Sequence, residues 1–246
     1  MNMHNNENKN TTYGNFYGIG IGPGDPELLT LKAVKVIEKA DYIFVPKASF
    51  KNESLALDIV KEFVKGKEIC EQVYPMTKDK SVLNNAWFNA AKEIAEKITG
   101  GSSAAYLTLG DPFTFSTYIY LLQNIHKLIP NENIETIPGI TSYNAAACMA
   151  NFPLIESSMK LAVVPVSKNI EELRPILQSF DTVVLMKVAK KLDAVIDLLE
   201  ELNLMDSSLF ASYVGQKNSF ITRNLAELKG EGKGYMSVII VSSIKL

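Results

Sequence analysis

Three stretches of this chain carry residues whose types and spacing could hold a ligand. They are Gly18-Ile19-Gly20-Ile21-Gly22-Pro23-Gly24-Asp25-Pro26, Leu107-Thr108-Leu109-Gly110-Asp111-Pro112-Phe113-Thr114-Phe115-Ser116-Thr117, and Ile137-Pro138-Gly139-Ile140-Thr141-Ser142. Each follows an apolar run and precedes an amphipathic one, so each reads as a strand-to-helix turn. In a parallel sheet such turns gather at the carboxyl edge, where ligands usually bind. A single Gly-Pro-Gly-Asp-Pro connection is ordinary turn chemistry. Three such turns at strand ends point to a ligand site. Asp111 is ambiguous: it can cap the following helix, or it can present a carboxylate to a cleft.

The common nucleotide signatures fail. A dinucleotide fingerprint needs glycines at i, i+2 and i+5, and starts at Gly18, Gly20 and Gly22 reach Pro23, Asp25 and Glu27 instead. No GxxxxGK followed by Ser or Thr is present, so a P-loop is excluded. The spaced GxGxG is a weak hint of a Rossmann-type methyltransferase. That hint needs an acid at the end of the next strand, but the strand ends Val45-Pro46-Lys47 and Asp41 stands at its start. There are two histidines, His4 and His126, which nearly excludes a histidine triad or a multi-histidine metal site. No metal site is expected. His126 reads as packing on a helix. The two cysteines, Cys70 and Cys148, lack CxxC spacing and suit a reducing cytosol.

These turns need a scaffold, and 246 residues suffice for one large α/β domain or two smaller ones. The formal net charge of -2 with no basic tract argues against a nucleic-acid partner. No apolar run reaches ~18 residues, so no membrane span is expected. No signal core is seen, and a cytoplasmic location is expected. Residues 1–14 form an Asn-rich tail expected to be disordered. Strands are expected at Phe16–Gly22, Tyr42–Val45 (stopped by Pro46), Glu68–Tyr74, Ala104–Leu109 and Ile134–Ile137. Helices are expected at Asp25–Ala40, Ser54–Lys65, Ser81–Ile98 and Thr117–Leu128. This alternation predicts a parallel, doubly wound domain over residues 15–138. Beyond Pro138, helices at Thr141–Ala150, Ile170–Gln178 and Leu192–Leu202 join strands at Leu161–Val164, Thr182–Met186, Leu209–Tyr213 and Met236–Val241. They predict a second α/β domain over residues 139–246.

Taken together, Gly22-Pro23-Gly24-Asp25-Pro26-Glu27-Leu28-Leu29-Thr30, Gly110-Asp111-Pro112 and Pro138-Gly139-Ile140-Thr141-Ser142 resemble the tetrapyrrole methylase family. The resemblance runs from about Asn15 to Leu246. It implies two α/β domains, a parallel five-stranded sheet and a mixed one, with an active-site trough between them. It also implies S-adenosylmethionine as methyl donor, a tetrapyrrole acceptor and a homodimer. Val73-Tyr74-Pro75-Met76-Thr77, Trp87, Ser116-Thr117 and Phe180-Asp181-Thr182-Val183-Val184-Leu185-Met186-Lys187 are similar to the branch that methylates precorrin-2 at C20.

By the same resemblance, Pro23, Leu109, Gly110, Asp111, Thr114, Thr141 and Ser142 belong to the cofactor site. Met186 packs on the adenine, and Tyr213, Val214, Met236 and Ser237 complete the adenosine pocket. Phe115 departs from the family, where a tyrosine often stands. Asp111 is the candidate base by position. The acceptor carries many carboxylates, yet the chain has only Arg174 and Arg223. Lys47 and Lys187, each after a strand end, are therefore expected to contact the substrate, although a solvated surface lysine is the commoner situation. Two other readings stay open: a related methylase with another acceptor, such as another macrocycle position or diphthine, and a non-catalytic cofactor sensor.

Overall fold

The computed structural model describes residues 12–47 and 54–244. Residues 1–11 of the expected tail, His4 among them, lie outside the described residues. The end of that stretch is held by the backbone: Gly100 N–H donates to Thr12 O and Gly14 N–H to Ile98 O, both at 2.8 Å. The described chain divides into two compact units. One runs to Gly22 and resumes as Pro26–Gly139; the other combines Pro23–Asp25 with Ile140–Leu246.

The first unit is a parallel sheet of β1 (Phe16–Gly20), β2 (Tyr42–Lys47), β3 (Glu68–Val73), β4 (Ala104–Thr108) and β5 (Ile134–Ile137), in the order β3-β2-β4-β1-β5. Side chains alternate across a strand, so the sheet buries a different set on each face. Phe16, Phe44, Ala104 and Tyr106 pack with Ile94 and Ile98 of α3 (Lys80–Ile98) and with Leu121 and Ile125 of α4 (Tyr118–Ile125). Ile19, Ile43, Val45, Ala105 and Leu107 pack on the other face with Ala33 and Ile37 of α1 (Leu31–Lys39). Ile59 and Val60 of α2 (Leu55–Val60) join them there. Helices on both faces make this the expected doubly wound layer.

The expected helix from Asp25 is corrected. Pro26–Leu28 is a short 3-10 turn, and α1 begins only at Leu31, capped by Thr30, whose side chain accepts from Ala33 N–H at 3.1 Å. Thr30 has extended backbone angles, as an N-cap does. The apolar stripe therefore falls on Ala33 and Ile37, and Leu31 is 79% exposed. Strand β2 also outruns its expected stop and continues through Pro46 to Lys47. Its pairing with β4 covers only Tyr42–Phe44, whereas pairing with β3 reaches Lys47↔Val73. Pro46 thus lies where β2 has lost one neighbour, the place where a missing N–H is tolerated.

The second unit contains α5 (Ser142–Met149), β6 (Leu161–Pro165), α6 (Arg174–Ser179), β7 (Thr182–Met186), α7 (Leu192–Glu201), β8 (Ser208–Ser212), β9 (Phe220–Thr222) and β10 (Ser237–Ser242). The sheet order is β6-β7-β10-β8-β9, with β6 parallel to β7 and the other pairs antiparallel. The expected mixed sheet is present, with β9 as an additional edge strand too short to show a period. Its core joins Leu185, Phe210 and Ile239 to Val195, Ile196 and Leu199 of α7. Among the described residues, no helix is long and apolar enough to cross a membrane.

Candidate functional site

The sheet order of the first unit decides what the three glycine-rich turns do. Strands β4, β1 and β5 are neighbours, in register Gly20↔Thr108 and Ile19↔Ile137, so their turns leave the same edge side by side. There they interlock. Gly110 N–H donates to Gly22 O at 2.8 Å, and Gly22 N–H returns a bond to Gly110 O at 3.3 Å. A Cβ on Gly20 would stand 2.6 Å from Gly139 N and 2.7 Å from Gly110 O. A Cβ on Gly139 would stand 2.1 Å from Gly110 O and 2.7 Å from the Gly20 carbonyl carbon. All of these neighbours are backbone, so the three chains meet at distances only glycine permits.

Asp111 ties this junction together. Its Oδ1 accepts from Phe113 N–H at 2.9 Å and from the Thr114 hydroxyl at 3.3 Å, and its Oδ2 accepts from Gly139 N–H at 3.3 Å. The carboxylate therefore staples the second turn to the third and does not cap α4. The rest of the loop is also braced. Thr108 and Ser116 share a hydroxyl bond at 2.8 Å, and Ser116 Oγ accepts from Tyr118 N–H at 3.1 Å. The Tyr118 ring fills the space a Cβ on Gly18 would need, and its hydroxyl bonds Thr136 on β5 at 2.7 Å. Burial raises the Tyr118 phenol to about 12, so it stays protonated at neutral pH.

Lys47 is less available than a solvated surface lysine. Its side chain is 10% exposed and its ammonium pairs with Glu71 Oε1 at 2.6 Å. His126 is on the surface, with Nδ1 2.7 Å from Asn131 Oδ1.

In the second unit, Met186, Lys187, Tyr213, Met236 and Ser237 come to one edge of the sheet. Met186 pairs with Val238 and Ser212 with Ser237, so the ends of β7 and β8 flank the start of β10. Three of these residues have left-handed backbones: Lys187 at φ 60°, Tyr213 at φ 50° and Met236 at φ 47°. A residue with a Cβ pays roughly 1–2 kcal/mol for that conformation, and strain of this kind collects at functional sites. Tyr213 N–H donates to Met236 O at 3.0 Å, so two of the strained residues hold each other. Ser237 directs its hydroxyl to Gly234 O at 2.6 Å. Thr141 caps α5, its side chain accepting from Asn144 N–H at 3.4 Å, with Ser142 as the first helical residue.

Pro23 is buried and belongs with this unit. Next to it, a Cβ on Gly24 would stand 2.6 Å from Gln216 Cγ and 2.9 Å from Val214 O. Gly215, at φ 76°, has Asp25 N at 2.8 Å from where its Cβ would be. The Val214-Gly215-Gln216 turn is thus a further close-packed element. Sequence reasoning took only Val214 from it, because one isolated glycine gave little signal.

Residues 15–229 match the model of the Tetrapyrrole (Corrin/Porphyrin) Methylases. The probable cobalt-precorrin-2 C(20)-methyltransferase of Methanocaldococcus jannaschii is 33% identical over 232 residues, covering 93% of this chain and 96% of that protein. The cobalt-precorrin-2 C(20)-methyltransferase of Salmonella typhimurium is 31% identical, over 93% and 96%. Among solved structures, the uroporphyrin-III C-methyl transferase of Thermus thermophilus complexed with S-adenyl homocysteine superposes with a TM-score of 0.64. It is 22% identical, over 93% of this chain and 92% of that one, which speaks for the fold. With its interlocked glycine turns, its parallel and mixed sheets and these matches over most of its length, the chain belongs to the tetrapyrrole methylase family.

Proposed function

We propose that this chain transfers a methyl group from S-adenosylmethionine to C20 of precorrin-2 or its cobalt complex, in cobalamin biosynthesis. The structural observation that carries this reading is the interlock of Gly20, Gly110 and Gly139 under the Asp111 staple. A junction in which a Cβ on Gly20 or Gly139 would collide with backbone suits a ligand held against backbone. The relatives at 31–33% identity bear names that specify the acceptor and the position.

The residues fit the donor in different ways. Leu109, Asp111 and Thr114 from the second turn, with Thr141 and Ser142, would hold its methionine end. Gly110 uses its own N–H and C=O on Gly22, so its part is to set the turn. Pro23, Met186, Tyr213, Val214, Met236 and Ser237 would hold the adenosine. When bound, S-adenosylmethionine supplies a sulfonium methyl that an electron-rich carbon can attack directly. The protein's task is then alignment at near-attack distance, worth about 7–11 kcal/mol where it is complete. This explains a site without histidine. Asp111 acts mainly as the staple, and Lys187 and Lys47 are the cations offered to acceptor carboxylates. Lys47 would have to exchange its Glu71 partner to do so. A homodimer in the cytoplasm completes the proposal.

The test is to supply precorrin-2 and cobalt-precorrin-2 side by side and locate the new methyl by mass and NMR. Methylation at a position other than C20 would reject the acceptor reading and keep the family. No heat of binding with millimolar S-adenosylmethionine would reject the catalytic one. The strained edge adds a finer prediction. Met236→Gly relieves a left-handed backbone and should leave the melting temperature unchanged or raise it by roughly 2–4 °C. Cofactor affinity should nevertheless fall by about tenfold. Unchanged affinity in calorimetry would remove Met236 from the pocket.

A further inference from the structure

The turn after β4 carries two phenylalanines that the donor site does not use. Phe113 and Phe115 flank Thr114, whose hydroxyl is committed to Asp111. Phe113 is 57% exposed and Phe115 39% exposed. A loop that merely connects β4 to α4 would be served by small or polar residues at such positions. Phe115 is also left-handed, at φ 54°, where glycine or asparagine would be at ease. A phenyl ring is therefore kept at a position where both exposure and backbone disfavour it.

The loop that carries them is braced by hydrogen bonds. Asp111 accepts from Phe113 N–H at 2.9 Å, and the Thr108–Ser116 hydroxyl pair closes the far side of the loop at 2.8 Å. The Phe113 ring lies 5.9 Å from the Tyr118 ring, tilted by 52°, and Tyr118 is itself anchored over Gly18. The Phe113 ring thus stands on an ordered ledge that adjoins Asp111 and Thr114, and Phe115 belongs to the same braced loop.

We propose that Phe113 and Phe115 form the apolar seat for the ring system of the methyl acceptor, and so help to determine acceptor specificity. This rests on the function proposed above. A flat, partly conjugated macrocycle has apolar faces and a charged rim. Aromatic rings at the mouth of the donor turn would take a face by stacking or edge contact and leave the carboxylates to water or lysine.

The experiment compares Phe113→Ser, Phe113→Leu and Phe115→Gly with the wild-type protein. It measures KM for cobalt-precorrin-2, the Kd of S-adenosylhomocysteine by calorimetry, the melting temperature and the sedimentation coefficient. Phe113→Ser and Phe115→Gly should each raise KM about tenfold, with the Kd of S-adenosylhomocysteine changed by less than about twofold. Phe113→Leu should recover part of the loss, and Phe115→Gly should melt no lower than wild type. An unchanged KM in variants that still methylate overturns the proposal. A parallel rise in the S-adenosylhomocysteine Kd overturns it by moving the rings to the donor pocket. A fall in sedimentation coefficient does so by moving them to a subunit contact. If wild-type protein neither binds S-adenosylhomocysteine nor methylates, the function itself fails and takes this seat with it.

Discussion

Gly139→Ala is expected to disable the protein more severely than any other one-carbon change in the turns. The added Cβ would stand 2.1 Å from Gly110 O, 2.7 Å from the Gly20 carbonyl carbon and 2.8 Å from its Cα. None of these atoms can swing aside as a side-chain end could, because each belongs to one of the other two turns. Overpacking a tight site costs about 1–3 kcal/mol and sometimes more, and this case belongs at or above the upper end. A loss near 3 kcal/mol would lower the melting temperature by roughly 6–12 °C in a chain of this size. S-adenosylmethionine binding should become undetectable by calorimetry, since the junction opens. Gly110→Ala is the control. Gly110 is left-handed at φ 68°, yet nothing stands within 4 Å of its Cβ position. Its cost is conformational, about 1–2 kcal/mol, and Gly110→Asn should be milder still. Equal effects at 139 and 110 would refute the steric interlock.

Asp111→Ala is the second large expected effect. It strips acceptors from Phe113 N–H, the Thr114 hydroxyl and Gly139 N–H together. Hydrogen bonds to a charged acceptor contribute about 1.5–3 kcal/mol each, and partial exposure reduces that here. A net loss of about 2–3 kcal/mol is expected in denaturant unfolding, with kcat/KM down by about a hundredfold or more. Asp111→Asn separates the two roles available to this residue. As a staple, the amide keeps one carbonyl acceptor, so stability and cofactor affinity recover in part and activity follows them. As a base, the amide would leave cofactor affinity near wild type while kcat stays at the level of the alanine variant. We expect the first pattern, because the carboxylate already serves three donors.

Much of this was legible in one dimension. The short apolar runs at Phe16–Gly20, Ala104–Thr108 and Thr182–Met186, and the glycine turns after the first two, were readable because apolar runs bounded by turn residues are local properties. Boundaries were less so. The start of α1 moved from Asp25 to Leu31 because two cap-like sites, Asp25 and Thr30, lie five positions apart, and only packing of Ala33 and Ile37 chose between them. Pro46 stayed in a strand because pairing with β4 had already ended. Neither reason is written in the residues alone.

The site divides along the same line. Residue types and spacing singled out three glycine-rich turns as candidates, showed which common motifs were absent, and determined the family to which the order of turns belongs. They could not place β4, β1 and β5 side by side, which makes three separate turns one junction. Nor could they show that the Asp111 carboxylate reaches Gly139, that Lys47 meets Glu71, or that Phe115, Lys187, Tyr213 and Met236 take left-handed backbones. Adjacency of strands and strain at their ends arise from contacts between residues distant along the chain. Tertiary packing decides these, while local propensity decides the elements that are packed.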